Sequence, residues 1–331
     1  MIDRLPTPSL VVERTTFEAN LDAADAALPG DRLRPHVKAF KSTAIAGELA
    51  RRGHRNFCAA TPREIEGMVA AGLTDDLLLA NETLDLARLG ELTDVASITV
   101  AVDSEAILDA AVTAGIEQVL IDVDVGLPRC GCSPDDAPRL AGLARARGVT
   151  VRGVMGYEGH LMMIDDRLER IEKVGEAMTV LKAVAGQVGG DIISAGGTGT
   201  FDVNTVATEI QAGSFTLMDS DYARLDGPFR PALSVLATVI SVNPKGWIVA
   251  DAGIKAIAMD HGNPTWDAGD VLFCSDEHAT LAPHEPGQWQ VGDRVRLTPA
   301  HIDPTVARHE SMWLVDGDRV VDHWPVDLRG W

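Results

Sequence analysis

Lys38 lies in the run LRPHVKAFKS, one residue beyond a short extended apolar stretch. A lysine so placed can be drawn out of water. Desolvation disfavours an ammonium and lowers its pKa, and the neutral amine can then form an imine with a carbonyl. A second signal is a pair of consecutive glycine turns, SAGGTGTF around Gly197 and Thr198 and QAGSF around Gly213 and Ser214. Glycine lets backbone N–H groups approach an anion closely, so the two turns together can cradle one phosphate. A reactive lysine beside a phosphate cradle implies a phosphorylated aldehyde. The third signal is PAHIDPTV, in which one residue separates His301 from Asp303. In an extended segment their side chains would share a face, as two ligands of one cation must. One nitrogen and one hard oxygen suit manganese, or else magnesium, cobalt or zinc, and leave positions open for water and substrate. Each signal is weak alone, because most lysines are solvated and tight turns use glycine for their own geometry.

These groups need a frame. Short apolar, β-branched stretches at 33–37, 56–59, 77–80, 98–102, 118–123, 153–157, 191–194 and 209–211 alternate with Ala/Leu/Glu/Arg stretches of helical period. At 61–71 Ile65, Met68 and Val69 share a face, and at 167–187 Ile171, Val174, Met178 and Leu181 do. Eight strands with helical crossovers predict an α/β fold, a (β/α)8 TIM-type barrel, over residues 13–225. In such a barrel chemistry sits at the carboxyl ends of strands. That rule selects Lys38, Arg129, the Tyr157–His160 run, the Gly197–Thr198 turn and Gly213–Ser214.

After residue 226 the pattern changes to short strands broken by Gly, Pro and Asp: SVLATVISV, GWIVADAG, DVLFCS, RVRLTP, MWLV and RVVDHWPV. Residues 226–331 therefore read as a mainly β domain, joined by the N-terminal strand of residues 1–12, where the strand-like SLVVE begins. Trp313, Trp324 and Trp331 are expected to pack it. His261 reads, with most other histidines, as structural or exposed.

The 331 residues carry a formal charge of −20, from 49 acids against 29 bases, which opposes binding to nucleic acid or to anionic membrane surfaces. No apolar run approaches the roughly 20 residues of a membrane span. Four cysteines without paired spacing read as reduced thiols, and a start with acid, base and prolines reads as cytoplasmic rather than exported. Cys130 and Cys132 form at most a weak metal pair.

The run RPHVKAFKS resembles the cofactor-lysine motif of the fold-type III pyridoxal-phosphate enzymes related to D-threonine aldolase and D-serine dehydratase. DVDVGLPRCG, GYEGHLM, SAGGTGTF, EIQAGSF, DAGIKA and PAHIDPTV continue the resemblance in the same order through nearly the whole chain. It implies pyridoxal 5'-phosphate held by Lys38 as a Schiff base, with the phosphate near Gly197, Thr198, Gly213 and Ser214 and the ring near Arg129 and Tyr157. It also implies a divalent metal on His301 and Asp303, and a homodimer. D-Serine dehydratases of this family tend to have cysteine as the second metal ligand and D-threonine aldolases aspartate, so Asp303 points to the aldolases. The implied substrate is a D-β-hydroxy-α-amino acid, cleaved to glycine and an aldehyde, with His160 or a water on the cation as the base. The alternatives are a dehydratase giving a 2-oxo acid and ammonia, and a non-catalytic pyridoxal-phosphate-binding protein. A racemase is disfavoured, because the chain's two tyrosines, Tyr157 and Tyr222, both precede the β domain.

Overall fold

The computed structural model describes residues 1–285 and 287–331. The chain divides into two compact units: one of residues 24–38, 46–213 and 330–331, the other of residues 1–23, 39–45 and 214–329. A first strand, β1 (Ser9–Glu13), belongs to the second unit. The first unit is built on a parallel sheet running in chain order through β2 (Asn56–Ala59), β3 (Asp76–Leu79), β4 (Ile98–Val102), β5 (Gln118–Asp122), β6 (Thr150–Met155), β7 (Ile192–Ala195) and β8 (Glu209–Ile210). The strands from β2 to β7 are short and largely apolar, β8 is only two residues long, and the crossovers between strands make the parallel pairing possible.

Seven of the eight expected strands form. The first, expected over 33–37, is reduced to two parallel bridges, Leu33 to Ile210 and His36 to Cys58. Pro35 has no N–H to give a ladder, and Val37–Ala39 curls into a 3-10 turn. The segment still closes the sheet. Arg34 N–H donates to Ile210 O at 2.9 Å, His36 N–H to Ala212 O at 3.0 Å, and Cys58 N–H to Pro35 O at 2.9 Å.

Inside this barrel Cys58, Leu78, Ala101, Leu120 and Met155, one from each of β2 to β6, form an apolar layer. Below it, toward the amino ends of the strands, lies a charged layer. Buried Arg34 donates to Glu209 Oε1 at 2.7 Å and to Asp76 Oδ2 at 3.0 Å. Arg152 grips both oxygens of Asp76, at 2.8 and 2.7 Å, and donates to Thr99 Oγ1 at 2.7 Å. The β5–β6 register shifts at this point, passing over Arg152, and such a bulge re-aims a side chain.

The helix at Pro62–Ala70 opens on a capping box between Thr61 and Glu64, with Pro62 in its first turn, and buries Ile65 and Met68 as the spacing predicts. In Arg167–Val188 the buried face is Val174, Met178 and Leu181, whereas Ile171 is exposed, one position off the stripe that meets the sheet.

The second unit is a sheet in the order β11-β12-β10-β9-β1-β14-β15, with β13 also paired to β9. Its strands are β9 (Leu233–Val242), β10 (Ile248–Ala250), β11 (Gly269–Cys274), β12 (Ala279–Pro283), β13 (Arg294–Leu297), β14 (Ser311–Asp316) and β15 (Arg319–Pro325). β1 lies between β9, antiparallel, and β14, parallel. β12 was not expected, because the polar SDEH turn before it hides a hairpin partner of β11. Ile2, Leu5, Val11, Leu236 and Val315 make a core cluster, against which Trp313 packs. Trp324 is buried against Phe17, with ring centroids 5.3 Å apart. Trp331, expected to pack, is 94% exposed. Among the described residues no helix is long and apolar enough to cross a membrane.

Burial opposes the charged form of Asp76, but the hydrogen bonds and charges of Arg152 and Arg34 outweigh it and hold its carboxyl below the usual range. A carboxylate whose folded pKa is depressed stabilises the fold above its unfolded pKa of about 3.9, and this contribution is lost as the pH falls through the folded value. Asp76→Asn is therefore expected to cost about 3 kcal/mol at pH 7, by urea unfolding, with the gap to wild type closing as the pH drops below about 4. A gap that stays constant into acid would show that the charge of Asp76 does not carry the stability.

Candidate active site

The carboxyl ends of the barrel strands bring most of the expected groups onto one rim. Lys38 sits in the 3-10 turn Val37–Ala39 that follows the closing stave, and its side chain is half-buried. After β5 the chain loops out and back, tied by Asp124 N–H to Cys132 O and Cys132 N–H to Asp122 O, both at 2.9 Å. Gly131 has φ +109, and a Cβ there would meet Asp124 N at 2.6 Å, so the return is open only to glycine. This loop presents Arg129, whose guanidinium lies 5.3 Å from the centre of the Tyr157 ring. The two residues expected beside a cofactor ring thus adjoin each other.

Acids crowd the same rim. Donor atoms of Glu82, Asp103 and Cys130 lie within 4.8 Å of one another. Burial first, then the charge and hydrogen bond of Glu82, push the Asp122 carboxyl well up, against the opposing charge of Arg129. Burial chiefly pushes the Cys130 thiol up to about 11 and the Cys132 thiol to about 12. Neither shift favours the thiolate, the form in which a cysteine binds a metal.

The glycine turn after β7 is held by a residue to which the sequence assigned no role. Fully buried Glu158 accepts from Gly196 N–H at 3.0 Å, Thr200 Oγ1–H at 2.9 Å and Asn204 Nδ2–H at 3.0 Å. Gly197 donates its N–H to Thr200 Oγ1 at 3.3 Å, so its contribution to an anion site is the lack of a side chain. A Cβ on Gly197 would stand 3.0 Å from Met162 Sδ, and one on Gly199 2.2 Å from Met162 O. Thr198 between them is buried. A tight, glycine-rich turn on the same rim of strand ends as a half-buried lysine, Arg129 and Tyr157 fits a phosphorylated aromatic aldehyde such as pyridoxal phosphate.

His160 follows in the 3-10 turn Gly159–Leu161. It is exposed, shares a groove with Val125, Lys173 and Glu176, and its Nε2 would lie 3.1 Å from a Cβ on Gly126.

In the second unit the expected geometry of PAHIDPTV is corrected. Residues 301 and 303 do not project from one face of an extended segment, because the helix Ile302–Val306 begins between them. His301 precedes it in extended conformation and Asp303 lies in its first turn. Asp219 is responsible: its buried carboxylate accepts Ile302 N–H at 3.1 Å and Tyr222 N–H at 2.8 Å. Burial raises the Asp219 carboxyl to about 6, with those N–H groups and His301 opposing.

His301 gathers with two residues that no motif marked. Its Nδ1 is 2.6 Å from Asp260 Oδ2, and its ring stacks on His261 at 4.1 Å and 18°. Donor atoms of Asp260, His261 and His301 lie within 4.8 Å of one another. Asp303 is half-buried and its Oδ1 accepts from Ser214 Oγ–H at 3.4 Å. Ser214 therefore meets the second expected metal ligand. Nitrogen and carboxylate donors on a short helix and its preceding loop fit a divalent cation of borderline hardness. The one hint in the sequence was the adjacency of Asp260 and His261 in AMDHG. His278 lies exposed in the turn between β11 and β12.

Residues 12–221 match the alanine racemase N-terminal domain family, and residues 232–315 the serine dehydratase domain. D-Threonine aldolase of an Arthrobacter species is 38% identical over 99% of this chain and 93% of its own length. The crystal structure of D-threonine aldolase from Filomicrobium marinum superposes with a TM-score of 0.91 at 32% identity, covering 99% of this chain and 97% of that one. D-threo-3-Hydroxyaspartate dehydratase of a Delftia species is 28% identical over 99% of this chain and 98% of its own. A cysteine-to-alanine mutant of that dehydratase is solved in a metal-free form, and a histidine-to-alanine mutant two positions earlier is solved as well.

The Glu158 array supplies a test. Glu158→Gln turns one acceptor into a donor facing other donors, so we expect a loss of about 2 kcal/mol in stability and roughly tenfold weaker pyridoxal-phosphate binding by fluorescence titration. Unchanged affinity would show that glycine geometry alone shapes the turn.

Proposed function

This chain belongs to the D-threonine aldolase and D-serine dehydratase-like family of fold-type III pyridoxal-phosphate enzymes, and from that premise we propose that it is a divalent-metal-dependent aldolase. It acts on D-β-hydroxy-α-amino acids and releases glycine and an aldehyde. The observation that carries the reading is Asp303, a carboxylate two residues after His301, in a unit where Asp260, His261 and His301 gather nitrogen and carboxylate donors within 4.8 Å of one another. Its relative with dehydratase activity was solved with a cysteine changed at the same spacing.

When bound, pyridoxal phosphate supplies an electron sink at the substrate's α-carbon, and a divalent cation supplies a Lewis acid for the β-oxygen. Lys38 would hold the cofactor through its amine, and Gly197, Thr198, Gly213 and Ser214 would surround its phosphate. Arg129 and Tyr157, with guanidinium and ring centre 5.3 Å apart, would flank its ring. His301 and Asp303 would hold the cation. His160, whose exposed imidazole can exchange protons with water, takes the proton from the β-hydroxyl. The C–O bond then gains double-bond character as the Cα–Cβ bond breaks, the aldehyde leaves, and a proton delivered to the α-carbon completes glycine. A dehydratase would instead remove the α-proton and expel the β-oxygen.

With pyridoxal phosphate and Mn²⁺, D-threonine is expected to give equimolar glycine and acetaldehyde, and Lys38→Ala is expected to lose both turnover and the near-visible absorbance of the bound cofactor. A 2-oxo acid with ammonia in their place would establish the dehydratase.

A further inference from the structure

Asp260 does not belong to the His-x-Asp pair, yet it makes the closest contact to that pair's imidazole. We infer that Asp260 is a positioning residue for cation binding: its carboxylate accepts the Nδ1–H of His301, fixes the ring's tautomer and leaves Nε2 as the ligating nitrogen. The inference deepens the proposed function and rests on its cation at His301.

Three observations carry it. Asp260 Oδ2 and His301 Nδ1 are 2.6 Å apart, which is a charge-assisted hydrogen bond. Two ligands of one ion, each about 2.0–2.2 Å from it at a right angle or wider, would stand about 2.9 Å apart or more. The pair is therefore too close to flank a common metal through these two atoms. Second, the His301 ring cannot tilt freely, because it stacks on His261, whose own Nδ1 is held 2.9 Å from Asp221 Oδ2. Third, the segment carrying Asp260 and His261 is tied to the helix after His301 by buried Thr305. Its hydroxyl donates to His301 O at 2.7 Å and accepts Ala258 N–H at 3.0 Å. A carboxylate on the far nitrogen of a metal-binding histidine sets the ring's orientation and raises its basicity.

The test is Mn²⁺ titration of the full chain, followed by the EPR signal of the free ion, with thermal unfolding of each metal-free variant as the control for folding. Asp260→Ala is expected to weaken Mn²⁺ binding 10- to 100-fold while leaving the unfolding temperature near that of wild type. Asp260→Asn keeps an acceptor for Nδ1–H and is expected to restore most of that affinity. Equal losses in both variants would make Asp260 a direct ligand and overturn the inference, as would an Asp260→Ala affinity equal to wild type. If wild type takes up no Mn²⁺ that His301→Ala abolishes, the cation reading falls and this role falls with it.

Discussion

Closing a parallel sheet into a barrel requires the first stave to meet both the second and the last, and here that stave is thin. It offers two bridges and a proline where a full strand would offer a ladder. Arg34 strengthens it from the inside. From the closing stave its buried guanidinium reaches Glu209 on β8 and Asp76 on β3, and donates to Phe57 O next to β2's bridge at 3.4 Å. Burial works against the charge, and Glu209 and Asp76 outweigh it, so the guanidinium's pKa lies above its usual value. A buried ion pair adds little net stability over an apolar core, but it specifies its partners sharply. Lys38 lies four residues after Arg34, in the turn that follows this stave, so the position of its backbone depends on where Arg34 fixes the closure.

Carboxylates repeat this task elsewhere. Glu158 gathers Gly196, Thr200 and Asn204 into one turn, and Asp219 starts the helix that separates His301 from Asp303. In each case a buried acid accepts from backbone or side-chain donors, most of them far along the chain, and a charged acceptor makes each bond stronger than a neutral one would. The loops that present chemical groups are thus ordered by polar contacts at their bases rather than by apolar packing.

This division explains what could be read from the residues alone. β2 to β8 and their helices follow from local periodicity, because each buried stave is an apolar run and each crossover an amphipathic stripe. The placement of Lys38, Arg129, Tyr157 and the glycine turn on one rim was legible because it follows from the order of strand ends in a barrel. The closing stave was less legible, since Pro35 removes a donor that the apolar pattern does not register. The face shared by His301 and Asp303 was misread for a related reason: the helix between them starts at a carboxylate 83 residues away in sequence. Asp260 and His261 carry no periodic signal, and only the fold brings them to His301.

The remaining tension is electrostatic. A chain of net charge −20 is assigned an anionic cofactor, and the rim that would hold it gathers Glu82, Asp103 and Asp122 around one arginine. Were all three acids ionised, Arg129 would be outnumbered and the rim would repel phosphate. Burial resolves part of this, because desolvation and the neighbouring Glu82 keep the Asp122 carboxyl protonated well above the ordinary range. The same proton gives the pair a hydrogen bond in place of a repulsion. Net charge acts at distances that salt screens, over about 8 Å at physiological ionic strength, whereas a phosphate is bound by N–H groups at contact. An acidic surface is therefore compatible with a phosphate held at contact, and a protonated Asp122 leaves Arg129 with fewer anions to offset.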